Sequence, residues 1–292
     1  MAQVQEVSPL ETTSRKPRDD EIDTYGVTHR GKVRAENQDH FVIGSLRKRI
    51  NIRQSSLPEL SHIPLAEERV ASFMIVADGV GGGREGEQAS RMALEVATKY
   101  LTESARCYYR LDGENVDMVQ ALEEGARTCH EALQERAASD PTAAGMATTL
   151  TLFIGIWPWA YILQVGDSRY YEYREGVLRQ ISRDQTLAQE LADEGLMPQA
   201  LAAKSPLTHV LSSSIGGQQT APVVTRLPGS WQTVHLLCSD GLTRHVSDER
   251  IAERLGAMQS ARQVCEDLLQ DALDGGGADN ITIVVARKVP KD

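Results

Sequence analysis

The chain lacks the spacings that mark zinc and redox chemistry. Its four cysteines, Cys107, Cys129, Cys238 and Cys265, form no CxxC pair, and no HExxH segment is present. That excludes the common thiolate and histidine zinc motifs. Three of the thiols fall in apolar-periodic segments, the pattern of buried, reduced side chains. There is no basic excess: 31 Lys and Arg stand against 41 Asp and Glu, for a net charge of −10. Such a balance argues against non-specific binding to nucleic acid or to an anionic membrane surface. No stretch approaches the roughly 20 apolar residues of a membrane span, and the N-terminus has no apolar signal-like core. The expected location is the cytoplasm. What remains is an ordinary globular composition, 41% hydrophobic and 25% charged over 292 residues. That length lies near two domains by the usual prior, but it also suits one large sandwich.

Residues 1–20 are polar, with Pro9 and Pro17, and read as a flexible tail ahead of a single domain over 21–289. Strand patterns occur at Asp23 to Thr28 and His40 to Ile43. Residues 46–70, with Arg47, Lys48, Arg49, Arg53, Pro58 and Pro64, show no clean period and read as a surface insertion. Helical spacing then places Ala89, Met92, Ala93, Val96, Ala97 and Tyr100 on one face. A second helix over Val116 to Ala137 does the same with Val119, Leu122, Ala126, Cys129 and Leu133. Strands follow at 148–156, 160–165, 169–174 and 177–181. Their connections are short enough to make them antiparallel neighbours. A short helix over 185–195 leads into a polar, Ser- and Gly-rich stretch over 199–219 that reads as a lid. Strands resume at 222–227 and 233–238. Two helices come next, the second opened by the capping box Ser260-Ala261-Arg262-Gln263, and a strand over 280–287 closes the domain. Strands in blocks and helices in pairs predict an α+β sandwich: two mainly antiparallel sheets face to face, with helix pairs outside.

Aspartates carry the chemistry. Ser72 to Ala77 runs into Asp78-Gly79, Thr233 to Ser239 into Asp240-Gly241, and Tyr161 to Val165 into Gly166-Asp167-Ser168. Asp279 sits between Gly275-Gly276-Gly277-Ala278 and the apolar run from Ile281. An acid at a strand end is held rigidly at the rim of a core, and glycine beside it permits a sharp turn or close approach. Four such acids brought together repel one another unless cations bind. Oxygen-only ligands select Mg²⁺ or Mn²⁺ over zinc. A pair of such ions about 3.5–4 Å apart suits hydrolysis of a phosphate ester.

Two other motifs are present. Gly81-Gly82-Gly83-Arg84-Glu85-Gly86 matches the dinucleotide fingerprint, but Asp78 would stand where a pyrophosphate belongs and the later strands do not alternate with helices. Gly166-Asp167-Ser168 resembles a nucleophile loop, without an assignable histidine or acid partner.

Taken in order, the segments Arg34 to Asp39, Val76 to Gly82, Gly145 to Thr149, Val165 to Arg169, Leu237 to Leu242 and Gly276 to Asn280 resemble the metal-dependent protein phosphatases of the protein phosphatase 2C family, in their bacterial form. The resemblance implies a four-layer αββα sandwich that hydrolyses phosphoserine and phosphothreonine esters. A hydroxide bridging two Mg²⁺ or Mn²⁺ ions is the implied nucleophile. On that pattern Asp78 bridges the ions, the Gly79 carbonyl holds the second, and Asp240 and Asp279 hold the first. Asp167 holds a third, weaker ion, Arg34 binds phosphate, Asp39 orients metal-bound water, and residues 182–219 correspond to the variable flap beside the active site. Val80 departs from members with histidine there, which leaves bound water as the proton donor. Gln38 replaces a common glutamate, which lowers the expected affinity for the second ion. Implied partners are phosphorylated proteins made by serine/threonine kinases, with no nucleic acid and no membrane, and the chain is expected to be a monomer. The alternatives are a catalytically weak phosphoprotein-binding module and a partner-switching phosphatase dedicated to one regulator.

Overall fold

Period-two alternation along the strands explains the layering. The computed structural model describes residues 15–49, 67–81, 84–104, 116–202 and 204–291. Cys107, Gly82, Gly83, residues 50–66 of the expected insertion and most of the expected tail lie outside them. The strands are β1 (Ile22–His29), β2 (Asp39–Lys48), β3 (Glu68–Val80), β4 (Ala147–Thr148), β5 (Leu150–Ile156), β6 (Trp159–Val165), β7 (Arg169–Arg174), β8 (Val177–Gln180), β9 (Val223–Pro228), β10 (Val234–Cys238) and β11 (Ile281–Lys288). They form two antiparallel sheets, ordered β1-β11-β10-β7-β8 and β2-β3-β5-β6-β9, with β4 also on β3.

Helices α1 (Arg84–Glu103) and α2 (Val116–Ser139) cover the sheet containing β3. On β3, Phe73, Ile75 and Ala77 face Ala89, Ala93, Cys129 and Leu133 of these helices. The alternate residues Met74 and Val76 face the other sheet, meeting Leu237 and Val284 in the central layer. The second sheet repeats the logic. Leu236, Cys238, Ile283 and Val285 pack under α6 (Asp248–Gly256) and α7 (Ala261–Asp274), numbered here after three shorter helices described below. Ser260 caps α7 by accepting from the Gln263 amide at 3.1 Å, the first half of the expected capping box, while Gln263 Oε1 accepts from the Gln259 amide at 3.0 Å instead of from Ser260. Burying a side chain such as Leu268 contributes about 1.5–3 kcal/mol. The expected α+β sandwich with helix pairs outside is therefore the observed one.

Some boundaries move. Residues 46–48 and 68–70, assigned to the insertion on sequence grounds, belong to β2 and β3, with Arg47 opposite Arg69 and Lys48 opposite Glu68. Their polar side chains hide a strand pair because β2 is an edge strand and needs no apolar outer face. The expected strand over 148–156 breaks at Thr149, whose amide donates to the Asp78 carbonyl at 2.9 Å instead of continuing a ladder. The 182–219 stretch holds the short helices α3 (Leu187–Asp193) and α4 (Gln199–Ala202), and bridges tie Thr186 to Leu211 and Thr148 to Ile215. A further one-turn helix, α5 (Asp240–Thr243), follows β10 directly. Cys129, Cys238 and Cys265 are free and buried.

Candidate active site

Both sheets bring acids to one edge of the sandwich. Asp39 opens β2 and lies directly across the ladder from Asp78, near the end of β3. Asp240 begins α5 after β10, Asp279 precedes β11, and Asp167 lies between β6 and β7. The cleft they share is also lined by Arg34, Gly79, Val80, Gln38, Arg244 and Asn280. His209 and Leu211 reach it from the flap stretch. Asp39, Asp78, Asp167, Asp240, Asp279, Gly79 and Arg34, separated by up to 245 residues, thus converge. Asp39 lies beneath the cleft rather than on its wall.

Local chemistry fixes each position. The Asp78 backbone is clamped on both sides by the Gly145 to Thr149 motif. Its amide donates to Thr149 Oγ1 at 2.9 Å, and its carbonyl accepts from Thr148 Oγ1 at 2.8 Å. Thr149 Oγ1 in turn meets Ser168 Oγ at 2.7 Å, which ties the Asp78 strand to the Asp167 turn. Glycine is required at 79, because a Cβ there would stand 2.1 Å from the Gly86 carbonyl oxygen at the start of α1. Gly166 has φ +99°, which turns the chain sharply into Asp167. Asn280 staples the loop that carries Arg34: its side-chain amide donates to the carbonyls of Arg30 and Glu36, and its Oδ1 accepts from the Gln38 amide at 2.9 Å.

Asp39 is buried, and its Oδ2 accepts from the Ser239 hydroxyl at 2.7 Å. Ser239 Oγ itself accepts from the Thr282 amide at 2.9 Å, so one hydroxyl joins the two sheets. Asp39 Oδ1 is buried with no hydrogen-bond partner.

The carboxyls disfavour one another's charge. Burial first, then Asp39, Asp240 and Asp167, push Asp78 well above the usual carboxylate range. Burial and then Asp167 do the same to Asp240, against the opposing pull of Arg244. Asp39 is pushed up to about 6, mainly by burial. Asp167 is likewise pushed up to about 6, by burial and then by Asp184.

Two arginines answer part of this charge. Arg34 grips Asp279 through Nε at 2.8 Å and a terminal nitrogen at 2.9 Å. Arg244 bridges Asp279, at 2.8 Å, and Asp240. Sequence reasoning missed Arg244. Its one signal is the four-residue offset from Asp240, which places both on the same face of a helical turn.

Among the described residues, no three or more His, Cys, Asp or Glu side chains are arranged to hold a metal ion as they stand. The donor set nevertheless fits a hard cation. Its donors are all oxygens, several carboxyls are held above their ordinary range by mutual repulsion and burial, and one carboxylate oxygen beneath them lacks any partner. Added positive charge would relieve each of these.

Known proteins share this arrangement. A family model described as Protein phosphatase 2C matches residues 64–275. The serine/threonine protein phosphatase PstP of Mycobacterium tuberculosis is 34% identical over 222 residues, which are 76% of this chain and 41% of that protein. This chain therefore spans less than half of that relative's length. The serine/threonine phosphatase stp of Listeria monocytogenes is 31% identical over 217 residues, 74% of this chain and 84% of that one. A crystal structure of the catalytic domain of PstP in complex with two manganese ions aligns with a TM-score of 0.71 at 30% identity, over 92% of this chain and 99% of that chain. The family-model match spans Asp78, Asp167 and Asp240, and the chain belongs to the protein phosphatase 2C family.

Proposed function

We propose that this chain is a metal-dependent protein phosphatase that hydrolyses phosphoserine and phosphothreonine esters on proteins modified by serine/threonine kinases. Its proposed setting is bacterial signalling in the cytoplasm. The observation that carries the reading is the convergence of Asp78, Asp167, Asp240 and Asp279 with Arg34 in one cleft. Among the described residues, no helix is long and apolar enough to cross a membrane. The domain assignment that accompanies the proposal is a catalytic unit over 21–289, preceded by a tail over 1–20.

Asp78, the Gly79 carbonyl, Asp240 and Asp279 are the groups that would hold two Mn²⁺ or Mg²⁺ ions, with Asp167 reserved for a third. Such ions supply water activation and neutralisation of phosphoryl oxygens. The protein's own residues set the stage. Arg244 pairs with Asp240 and Asp279, so ion loading requires its guanidinium to give up at least part of that contact. Arg34 is half-exposed at the rim, and its planar fork, here engaged with Asp279, suits two phosphoryl oxygens once that contact is released. Asp39, held by Ser239 through Oδ2, keeps its other carboxylate oxygen without a partner, a free acceptor for water beneath the acid layer. Val80 carries no titratable group, so this side chain takes no part in protonating the leaving alkoxide.

The test is hydrolysis of a phosphothreonine peptide with Mn²⁺, with Mg²⁺ and with EDTA, alongside Asp240→Asn. Metal-dependent turnover that vanishes in the variant is the expected result. Turnover unaffected by EDTA would sink the proposal.

A further inference from the structure

At the end of the sandwich remote from the acids, a cavity of about 280 Å³ opens between the two sheets. Its lining residues on β3, Arg69 to Met74, lie about 13 to 30 Å along the strand from Asp78 at the usual strand rise. Its walls are largely apolar and aromatic: Ile43, Met74 and Phe153 of the central layer, with Trp157 and Ala160 beside them. In a chain of net charge −10, five lining side chains are basic (Lys16, Arg47, Arg69, Arg287 and Lys288) and one, Asp19, is acidic.

Four of those cations already have carboxylate partners. Arg47 and Arg69 share Asp19, at 2.6 and 3.0 Å, Arg287 meets Asp23 at 3.0 Å, and Lys16 meets Glu68 at 3.3 Å. Lys288 differs. Its ammonium donates to the Ser230 carbonyl at 2.7 Å and to His235 Nε2 at 3.3 Å, and among the described residues it has no carboxylate within ion-pair reach. Behind it runs a buried polar chain. His235 Nδ1 meets the Tyr170 hydroxyl at 2.7 Å, and that hydroxyl donates to Glu172 at 3.3 Å. With Nε2 accepting from the ammonium, Nδ1 carries the ring proton and every bond in the chain has a donor and an acceptor. Phe153 packs on the His235 ring at 4.6 Å and holds it in place. Desolvation pulls the Lys288 ammonium down to about 8, against the opposing pull of Glu172.

We propose that this cavity is a binding site for a small monocarboxylate with an apolar acyl or aryl body, its head on Lys288 and its body between the aromatic walls. An apolar chamber with one precisely held charge is the usual plan of such sites, and the volume is at the lower end of small-molecule pockets, about 300 Å³. The carboxylate would supply the direct ion-pair partner that Lys288 lacks. The inference stands apart from the acid cleft and does not require that cleft to be catalytic.

Calorimetry on the full chain with decanoate, 2-naphthoate and decanol tests it, with Lys288→Met and the cavity-filling Ala160→Leu as variants. Cooperative thermal unfolding serves as the check that each is folded. One-to-one binding of at least one acid is expected, at least tenfold weaker in Lys288→Met and lost in Ala160→Leu. Decanoate against 2-naphthoate separates the acyl from the aryl ligand. Three outcomes overturn the proposal: no saturable binding of either acid up to millimolar concentration, acid binding that neither folded variant weakens, or decanol binding as tightly as decanoate.

Discussion

Strands β3, β10 and β11 have unlike ends. At one edge they deliver Asp78, Asp240 and Asp279 to a cleft where burial and then neighbouring carboxyls hold Asp78 and Asp240 above their ordinary range. At the other, Arg69, His235 and Lys288 line a cavity whose charge is mainly positive. The apolar segments between them are similar, alternating between the central and outer layers. The sandwich is therefore a rigid spacer between two electrostatically opposite sites, each short of the counter-charge that the other has in excess. Stability comes from the middle, and the ends are where the sequence departs from what stability alone would favour.

The sharpest break between the ends is catalytic. Asp78→Ala and Asp240→Asn are each expected to lower turnover of a phosphothreonine peptide by about 10³-fold or more. Neither should lower the melting temperature measured without metal, because each removes a buried like charge. Ion binding gives the next largest effect. Mn²⁺ at about 100 times its dissociation constant should stabilise the wild type by about 2.7 kcal/mol, or roughly 5 °C in a thermal melt. Asp240→Asn should show little of that shift.

His235→Phe asks whether the ends are separable. It removes a buried ring that contacts both Tyr170 and Lys288, and a loss of about 1–3 kcal/mol in denaturant unfolding is expected. The Mn²⁺-induced shift should survive unchanged, and its disappearance would mean that the two ends are coupled.

The smallest effect contrasts raised carboxyls with a lowered one. Asp271 on α7 is gripped by Arg254 at 2.7 Å and Arg250 at 2.9 Å, and these hold its carboxyl at about 2. Its contribution is present above the ordinary carboxylate range and is lost as pH falls from about 4 to about 2. Asp271→Asn should therefore cost about 1 kcal/mol at neutral pH, after screening by solvent, and nearly nothing at pH about 2. Urea unfolding of both proteins across that range checks it.

The layering was legible because alternation and helical spacing are local patterns, repeated at every turn of the chain. The acids were legible for a related reason: each lies beside glycine at the end of an apolar run, which marks both rigidity and a turn. Arg244 was not, since a basic residue one helical turn after Asp240 looks like any surface arginine until Asp279 is brought in from 35 residues away. The role of Ser239 was equally hidden, as its partners Asp39 and Thr282 lie on different sheets. The basic cavity left no motif at all. Its residues are scattered from Lys16 to Lys288 and meet only when the two sheets stack. The strand ends at Lys48 and Glu68 were misplaced because an edge ladder, bulged between Leu46 and Arg47, tolerates polar side chains that read as loop.

The Ser239 hydroxyl has a mechanical consequence. It receives the Thr282 amide from one sheet and donates to Asp39 on the other, so the two sheets are riveted within one residue of Asp240. At the opposite margin Asp19, just ahead of β1, is held by Arg47 of β2 and Arg69 of β3. Both margins are therefore tied across the sandwich, and Asp39 and Asp240 sit at a seam that resists separation of the sheets.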